Sequence, residues 1–267
     1  MTLSIKSAAE RVKIARHPNR PIVTDYIKAM IKNFFPLAGD RKYADDESII
    51  GGLGFFHDVP VTVIGHRKGR DLDENIKMRF GMPNPEGYRK AERLMLQAEK
   101  FARPLITFVD TPGAYPGMEA EERGQAEAIA KSIATMSRLK IPTISVFIGE
   151  GGSGGALAIG ASSKIIMLEN SIYSILSPEG FASILWKDSS KWEEAAEVMK
   201  LTSVELQNLG VCDVIVKEPE EGAHADPDFV FSKVEDAIWQ ELQTLMKDSG
   251  ENLAKARYKK LLRIGKK

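Results

Sequence analysis

Little in this chain invites covalent or metal chemistry. The single cysteine among 267 residues, Cys212, excludes an internal disulfide and any cysteine-rich zinc site. So sparing a use of cysteine fits a reducing compartment. The four histidines, His17, His57, His66 and His224, stand far apart, with neither H-x-x-x-H nor H-E-x-x-H spacing, so no zinc-binding set is expected. Excess charge is missing as well. Lys plus Arg and Asp plus Glu both total 37, which argues against nucleic acid as the main partner. No apolar run approaches the roughly 20 residues of a membrane span. The opening stretch MTLSIKSAAERVKIARHPNRP holds no apolar segment of secretory type. These absences lead to the expectation of a cytoplasmic protein that does not enter membranes.

What is present reads as an α/β protein. Residues 1–20 are polar and basic, with Arg11, Lys13, Arg16 and Arg20, and read as a solvated arm or frayed helix. From Thr24, the residues Ile27, Met30, Ile31 and Phe34 keep helical spacing up to Pro36 and Gly39. A charged connector over 40–47 then leads to two strands, 49–56 and 61–65, joined by a turn around His57, Asp58 and Pro60. The polar stretch HRKGRDLDENIKMRFGMPNPEG is broken by glycine and proline and reads as a long loop. Apolar helical stripes follow at Tyr88, Ala91, Leu94, Met95, Ala98 and Phe101, and at Ala126, Ile129, Ala130, Ile133 and Met136 in a helix over 119–139. Between and after them lie buried-strand candidates at 105–109, 143–148 and 164–168, with short ones at 171–175 and 214–216. Strands alternating with helices imply parallel β/α units. The tail is helix-rich over 193–209 and 229–262. The expected division is an N-terminal helical segment, 1–45, and a main domain, 46–267.

Two glycine-rich loops carry the functional signal. DTPGAYPG follows the strand at 105–109, and GEGGSGG follows the strand at 143–148; each precedes a helix. Glycine there lets backbone N–H groups approach negative charge, and a helix N-terminus aims them at it. Read singly, the second loop fits several patterns. Gly149-x-Gly151-x-x-Gly154, with Glu169 twenty residues on, fits a dinucleotide fingerprint. Against it, that fold has no use for a second specialised loop such as DTPGAYPG. Gly151-x-Ser153-x-Gly155, followed by Asp213 and His224, fits a serine hydrolase elbow. The plainer reading of Ser153 is an N-cap for the next helix. A P-loop is excluded, because Ala156 and Leu157 stand where Lys and Ser or Thr would be needed. Asp110 and Glu150 read either as acids or as turn residues that bind backbone N–H groups. Arg67, Lys68 and Arg70 read as a solvated loop or as contacts to an anion or an interface.

Four longer stretches go further: 65–101, then RPLITFVDTPGAYPG, then GEGGSGGALAIG, then SIYSILSPEGFASILWKD. In this order they closely resemble the carboxyltransferase alpha subunits of bacterial acetyl-CoA carboxylase, over roughly residues 10–265. The resemblance implies a crotonase-like superhelix of ββα units with added N- and C-terminal helices. It implies a beta-subunit partner in an α2β2 heterotetramer, with any zinc held by that beta subunit. It also implies a reaction of fatty acid biosynthesis. The carboxyl group passes from carboxybiotin, borne on a separate biotin carboxyl carrier protein and loaded by an ATP-using biotin carboxylase, to acetyl-CoA, giving malonyl-CoA. Carried onto this chain, Gly154 and Gly155 would offer backbone N–H groups to the ureido oxygen of biotin. Gly113, Ala114, Tyr115, Gly151, Gly152 and Ser153 would line the carboxybiotin site. A catalytically degenerate, partner-binding scaffold stands as a second alternative beside the hydrolase. The chain departs from the family in a shorter start, in EPEEGAHADPD at 218–228, and at Phe181, where a smaller residue is expected.

Overall fold

The strands expected to be buried lie side by side in the middle of one sheet. A computed structural model describes residues 6–265. Its strands are β1 (Lys32–Pro36), β2 (Ile49–Phe56), β3 (Val59–His66), β4 (Leu105–Thr111), β5 (Thr143–Gly152), β6 (Lys164–Leu168), β7 (Ile172–Ser174) and β8 (Val214–Val216). The helices are α1 (Ala8–Ala15), α2 (Val23–Met30), α3 (Leu72–Lys77), α4 (Pro85–Lys100), α5 (Met118–Glu122), α6 (Gln125–Arg138), α7 (Ser153–Gly160), α8 (Pro178–Trp186), α9 (Trp192–Val198), α10 (Ser203–Asn208), α11 (Pro227–Leu245) and α12 (Gly250–Arg263).

The sheet runs β1-β2-β3-β4-β5-β6-β8, with β7 paired to the far end of β5. β1, β2 and β3 are antiparallel, and every later pairing is parallel. His57 and Asp58 close the β2–β3 hairpin, both at positive φ (45° and 61°), as the backbone of a tight two-residue hairpin demands. Every residue of β4 and β5 is buried, the mark of parallel strands covered on both faces. Their side chains alternate. Ile106, Phe108, Ile144, Val146 and Ile148 face a core completed by α2 and α11. Leu105, Val109 and Phe147 face a core completed by α4, α6 and α7. No helix among the described residues is long and apolar enough to cross a membrane.

Five stretches differ from the sequence reading, one of them 149–152, expected as a loop, which continues β5 and pairs with β7 before α7 begins. Residues 8–15 are not a loose arm. Ser7 and Glu10 form a capping box for α1, whose Ala8, Ala9, Val12 and Ala15 pack against Ile172, Ala196 and Leu201. Helix α2 stops at Met30, and Lys32–Pro36 turns into a strand instead, because the open edge of β2 offers backbone partners that outweigh local helical spacing. Tyr26, Ile27 and Met30 share one core with the central strands, so packing is continuous across residue 45. The polar stretch at 66–84 contains α3, started by Asp71, whose carboxylate accepts from Glu74 N.

The single helix expected over 119–139 is split in two by Gly124, at φ 84°. Its second half, α6, also turns a different face inward. Gln125, Ala128, Ser132, Thr135 and Met136 are buried, whereas Ala126 and Ala130 are exposed. Gln125 and Ser132 tolerate burial because they donate to the carbonyls of Pro83, Tyr115 and Ala158.

Candidate active site

Because β4 and β5 are parallel neighbours, the loops that follow them leave the same end of the sheet side by side. They touch through the main chain. A Cβ on Gly152 would stand 2.0 Å from the Pro112 carbonyl oxygen. One on Gly155 would stand 2.7 Å from Ala114 N and 2.8 Å from the Gly113 carbonyl carbon. Side chains at either position would push the loops apart. Gly113 is different, since the space around it is open and its φ of 147° is what calls for glycine.

Hydrogen bonds within the first loop leave the donor nearest the second loop over. Gly113 N donates to Thr111 Oγ1 (3.0 Å), and Tyr115 N donates to the Pro83 carbonyl (3.0 Å). Ala114 N–H, between them, has no acceptor among the described residues. In the second loop, α7 begins at Ser153, and its N-cap is Gly152, which has no side chain to cap with. The N–H groups of Ser153, Gly154 and Gly155 precede the first intrahelical bond. Ser153 is therefore not the cap that the sequence suggested. It is exposed, with φ at 52°, a left-handed conformation that costs a non-glycine residue about 1 kcal/mol. Ser153→Gly is expected to raise Tm by relieving that strain, whereas Ser153→Ala leaves Tm unchanged or lower; thermal denaturation of both variants checks it.

A charged lattice fixes both loops from behind. Asp110 Oδ1 accepts from Lys68 Nζ (2.6 Å) and from Glu150 N (3.0 Å), so it ties one loop to the other instead of closing its own turn. Arg16 forks onto Glu150 (2.6 and 3.1 Å) and reaches Glu179 on α8 (2.7 Å). Arg70 pairs with Asp25, and Arg67 lies 3.9 Å from Glu47. Lys68 and Arg70, with Arg16, Arg20 and Asp110, line a cavity of about 190 Å³.

On the other side of α7 lies a pocket of about 410 Å³, lined by Ser153, Gly154, Leu157, Tyr173, Ile175 and Leu206 among others, with no His, Asp or Glu. The partners a serine hydrolase would need do not line the Ser153 pocket. Asp213 accepts from Ile165 N and pairs with Lys260. His224 stacks on His17, with ring centroids 3.6 Å apart. The dinucleotide reading loses support too. Strand order never reverses along the sheet, so there is no switch-point crevice, and Glu169 pairs with Lys217 (2.8 Å).

Two buried residues beside the loops gave no signal when the sequence was read residue by residue. Tyr88 on α4 and His66 at the end of β3 are fully buried, and neither the Tyr88 hydroxyl nor either His66 nitrogen has a hydrogen-bond partner among the described residues. Burial pushes the His66 imidazole down to about 3, so it is neutral.

A family model described as acetyl co-enzyme A carboxylase carboxyltransferase-like matches residues 3–265. The chain is 54% identical to the acetyl-coenzyme A carboxylase carboxyl transferase subunit alpha of Bacillus subtilis over 257 residues, 96% of this chain and 79% of that protein. Identity to the corresponding subunit of Anoxybacillus flavithermus is also 54%, with the same coverage. The chain belongs to this family. Among solved structures, a transcarboxylase 12S chain superimposes with a TM-score of 0.68 at 16% identity, over 91% of this chain and 46% of that one. Thus the family member spans about half the length of that chain. A Pseudomonas malonate decarboxylase hetero-tetramer in complex with coenzyme A gives 0.63 at 20% identity, over 83% of this chain and 92% of the matched one. The architecture is the crotonase-like α/β fold of this carboxyltransferase family, with α1 and α2 at its N-terminal end and α11 and α12 at its C-terminal end.

Proposed function

We propose that this chain is the alpha subunit of an acetyl-CoA carboxylase carboxyltransferase. It would move the carboxyl group from carboxybiotin on a biotin carboxyl carrier protein to acetyl-CoA, forming malonyl-CoA. The observation that carries the reading is the meeting of two loops whose unspent donors, Ala114 N–H and the first N–H groups of α7, are all main-chain. When the N–CO₂⁻ bond of carboxybiotin breaks, its electron pair moves onto the ureido nitrogen and oxygen. Backbone donors at Gly154 and Gly155 stabilise that oxygen, an effect worth roughly 3 kcal/mol per donor in comparable sites. The released ureido nitrogen takes a methyl proton from acetyl-CoA, and the resulting enolate carbon takes up the carboxyl carbon. Biotin thus supplies the base, which accounts for a loop pair without a His–Asp or paired-carboxylate arrangement. Gly113, Ala114, Tyr115, Gly151, Gly152 and Ser153 would frame the ring.

The second oxyanion, the enolate, is assigned to a beta subunit across the mouth of the site. Support for a partner there comes from exposed apolar residues: Leu72 and Ile76 on α3, Phe80 just after it, and Ile184 and Leu185 on α8. Arg67 would belong to that rim. Exposed large apolar side chains on these helices suit an interaction face.

The test is co-purification with a beta-type subunit and an assay of carboxyl transfer from malonyl-CoA to free biotin. The chain alone is expected to show no transfer, and the complex to show it. Full activity of the chain by itself would overturn the divided site, and an inactive complex would overturn the assignment.

A further inference from the structure

Tyr88 carries the buried, unpaired hydroxyl that faces both loops. Its ring is fully buried on α4, within a small cluster with Ala128 and Ala158 that also touches Ala114 and Ile129. Its hydroxyl has no hydrogen-bond partner among the described residues, although a buried, unpaired hydroxyl is costly and native proteins keep few of them. The hydroxyl oxygen is not adrift in apolar packing. A Cβ placed on Gly155 would stand 2.7 Å from it and 2.7 Å from Ala114 N. The hydroxyl, the Gly155 Cα and the unspent Ala114 N–H therefore share one small space. The buried His66 adjoins the Gly155 backbone from the β3 side. Burial, and then the Asp46 charge, raise the Tyr88 hydroxyl well above its usual value, so it persists as a neutral O–H.

We infer that Tyr88 is a positioning residue of the carboxyl-transfer site: its hydroxyl sets the spacing between Ala114 N–H and the first turn of α7. The inference rests on the carboxyltransferase reading. In the free chain the hydroxyl abuts Gly155 without a bond. When an oxyanion draws the donor turn toward itself, the hydroxyl gains a main-chain partner in the displaced loops. Hydrogen bonds of catalytic sites commonly tighten in this way only in the loaded state. A group that is unpaired at rest and paired in the transition state raises kcat and leaves ground-state binding alone. His66, neutral, backs the same turn.

The experiment is Tyr88→Phe in the complex with a beta-type subunit, assayed for carboxyl transfer from malonyl-CoA to free biotin. The ring and its packing are kept and only the oxygen is lost. Expected are a fall in kcat of about tenfold, the size of one hydrogen bond, a KM for biotin within about twofold of wild type, and a Tm equal or higher. An unchanged kcat overturns the inference, because the hydroxyl then contributes nothing to the transfer step, whatever happens to Tm. A raised KM with kcat unchanged overturns it equally. Should Tyr88→Phe fail to assemble, fluorotyrosine at position 88 alters donor strength at nearly constant shape, and a kcat indifferent to it is again fatal. The two levels separate cleanly. An inactive wild-type complex defeats the functional reading, whereas an active wild type with an equally active Tyr88→Phe defeats only this inference.

Discussion

Gly155→Ala is expected to cut carboxyl transfer by about 10²-fold or more, while Gly154→Ala, one residue away, stays within a few-fold of wild type. The two glycines lie on the same helical turn, yet their surroundings differ. The methyl group at 155 would sit 2.7 Å from Ala114 N, 2.7 Å from the Tyr88 hydroxyl and 2.8 Å from the Gly113 carbonyl carbon. Two of those three atoms are main chain and cannot swing away, so the donor turn and the first loop must separate. Displacing one oxyanion donor costs roughly 10²–10³ in rate, and here donors on both loops move. At 154 the methyl group would meet only Ile129 Cγ2, at 3.4 Å, the end of a half-buried side chain. Both variants should still elute with the beta-type partner. The contrast is read from kcat in the malonyl-CoA-to-biotin direction, and equal rates for the two would remove the Gly155 turn from the mechanism.

Glu218→Ala is expected to lower the unfolding free energy by about 3–5 kcal/mol, the usual result of stripping one partner from a buried ion pair. Arg20 and Glu218 have side chains only 4% and 0% exposed. They pair through two hydrogen bonds of 2.6 and 2.9 Å. Arg20 also donates to the Ile148 carbonyl (2.6 Å), just before the second glycine loop. Glu218 further accepts from Asn170 and from Ala223 N. Without the carboxylate, a guanidinium is left in the interior with one carbonyl to offset its desolvation. The double variant Arg20→Met with Glu218→Leu should recover most of the loss, because it removes both charges together. Burial alone would raise the Glu218 carboxyl, but the Arg20 charge and the hydrogen bonds from Arg20 and Asn170 hold it below 4.5. Its contribution is therefore fully present above pH 4.5 and is lost as pH falls through the lower folded value. Urea denaturation at several pH values should show a shallower acid limb in the double variant. A Glu218→Ala protein as stable as wild type would show that water reaches the pair.

The strands and the first glycine loop were legible because their signal is local; the second glycine stretch reads as a loop but is the end of β5 running straight into α7. Continuous apolar runs such as LITFV and TISVFI mark strands buried on both faces, and β6 and β8 fall at 164–168 and 214–216 as expected. What escaped was set by distant partners. Lys32–Pro36 is a strand only because β2 has a free edge, which helical spacing within 24–34 cannot reveal. α6 buries Gln125 and Ser132, which read as polar, since their acceptors lie 42 and 26 residues away. Arg16 and Arg20 looked like solvated charges, yet their carboxylates stand 134 and 198 residues further along. Tyr88 read as one more apolar position on α4, and only the folded chain brings its hydroxyl to Gly155. The identity of the reaction came from long motifs in order, not from any single loop, each of which matched several chemistries.

The unspent donors at the meeting of the two loops belong to the polymer itself, not to its side chains. If these donors serve the reaction as proposed, replacing side chains one at a time by alanine would register the site only at Tyr88 and where glycine is enlarged. Atom-level editing of the backbone, an ester in place of the amide at Ala114 or Gly155, is the change that deletes a donor while leaving every residue in place. By the same logic, the sequence can drift at Ser153 or Tyr115 without erasing the site, provided the path of the chain through it is kept.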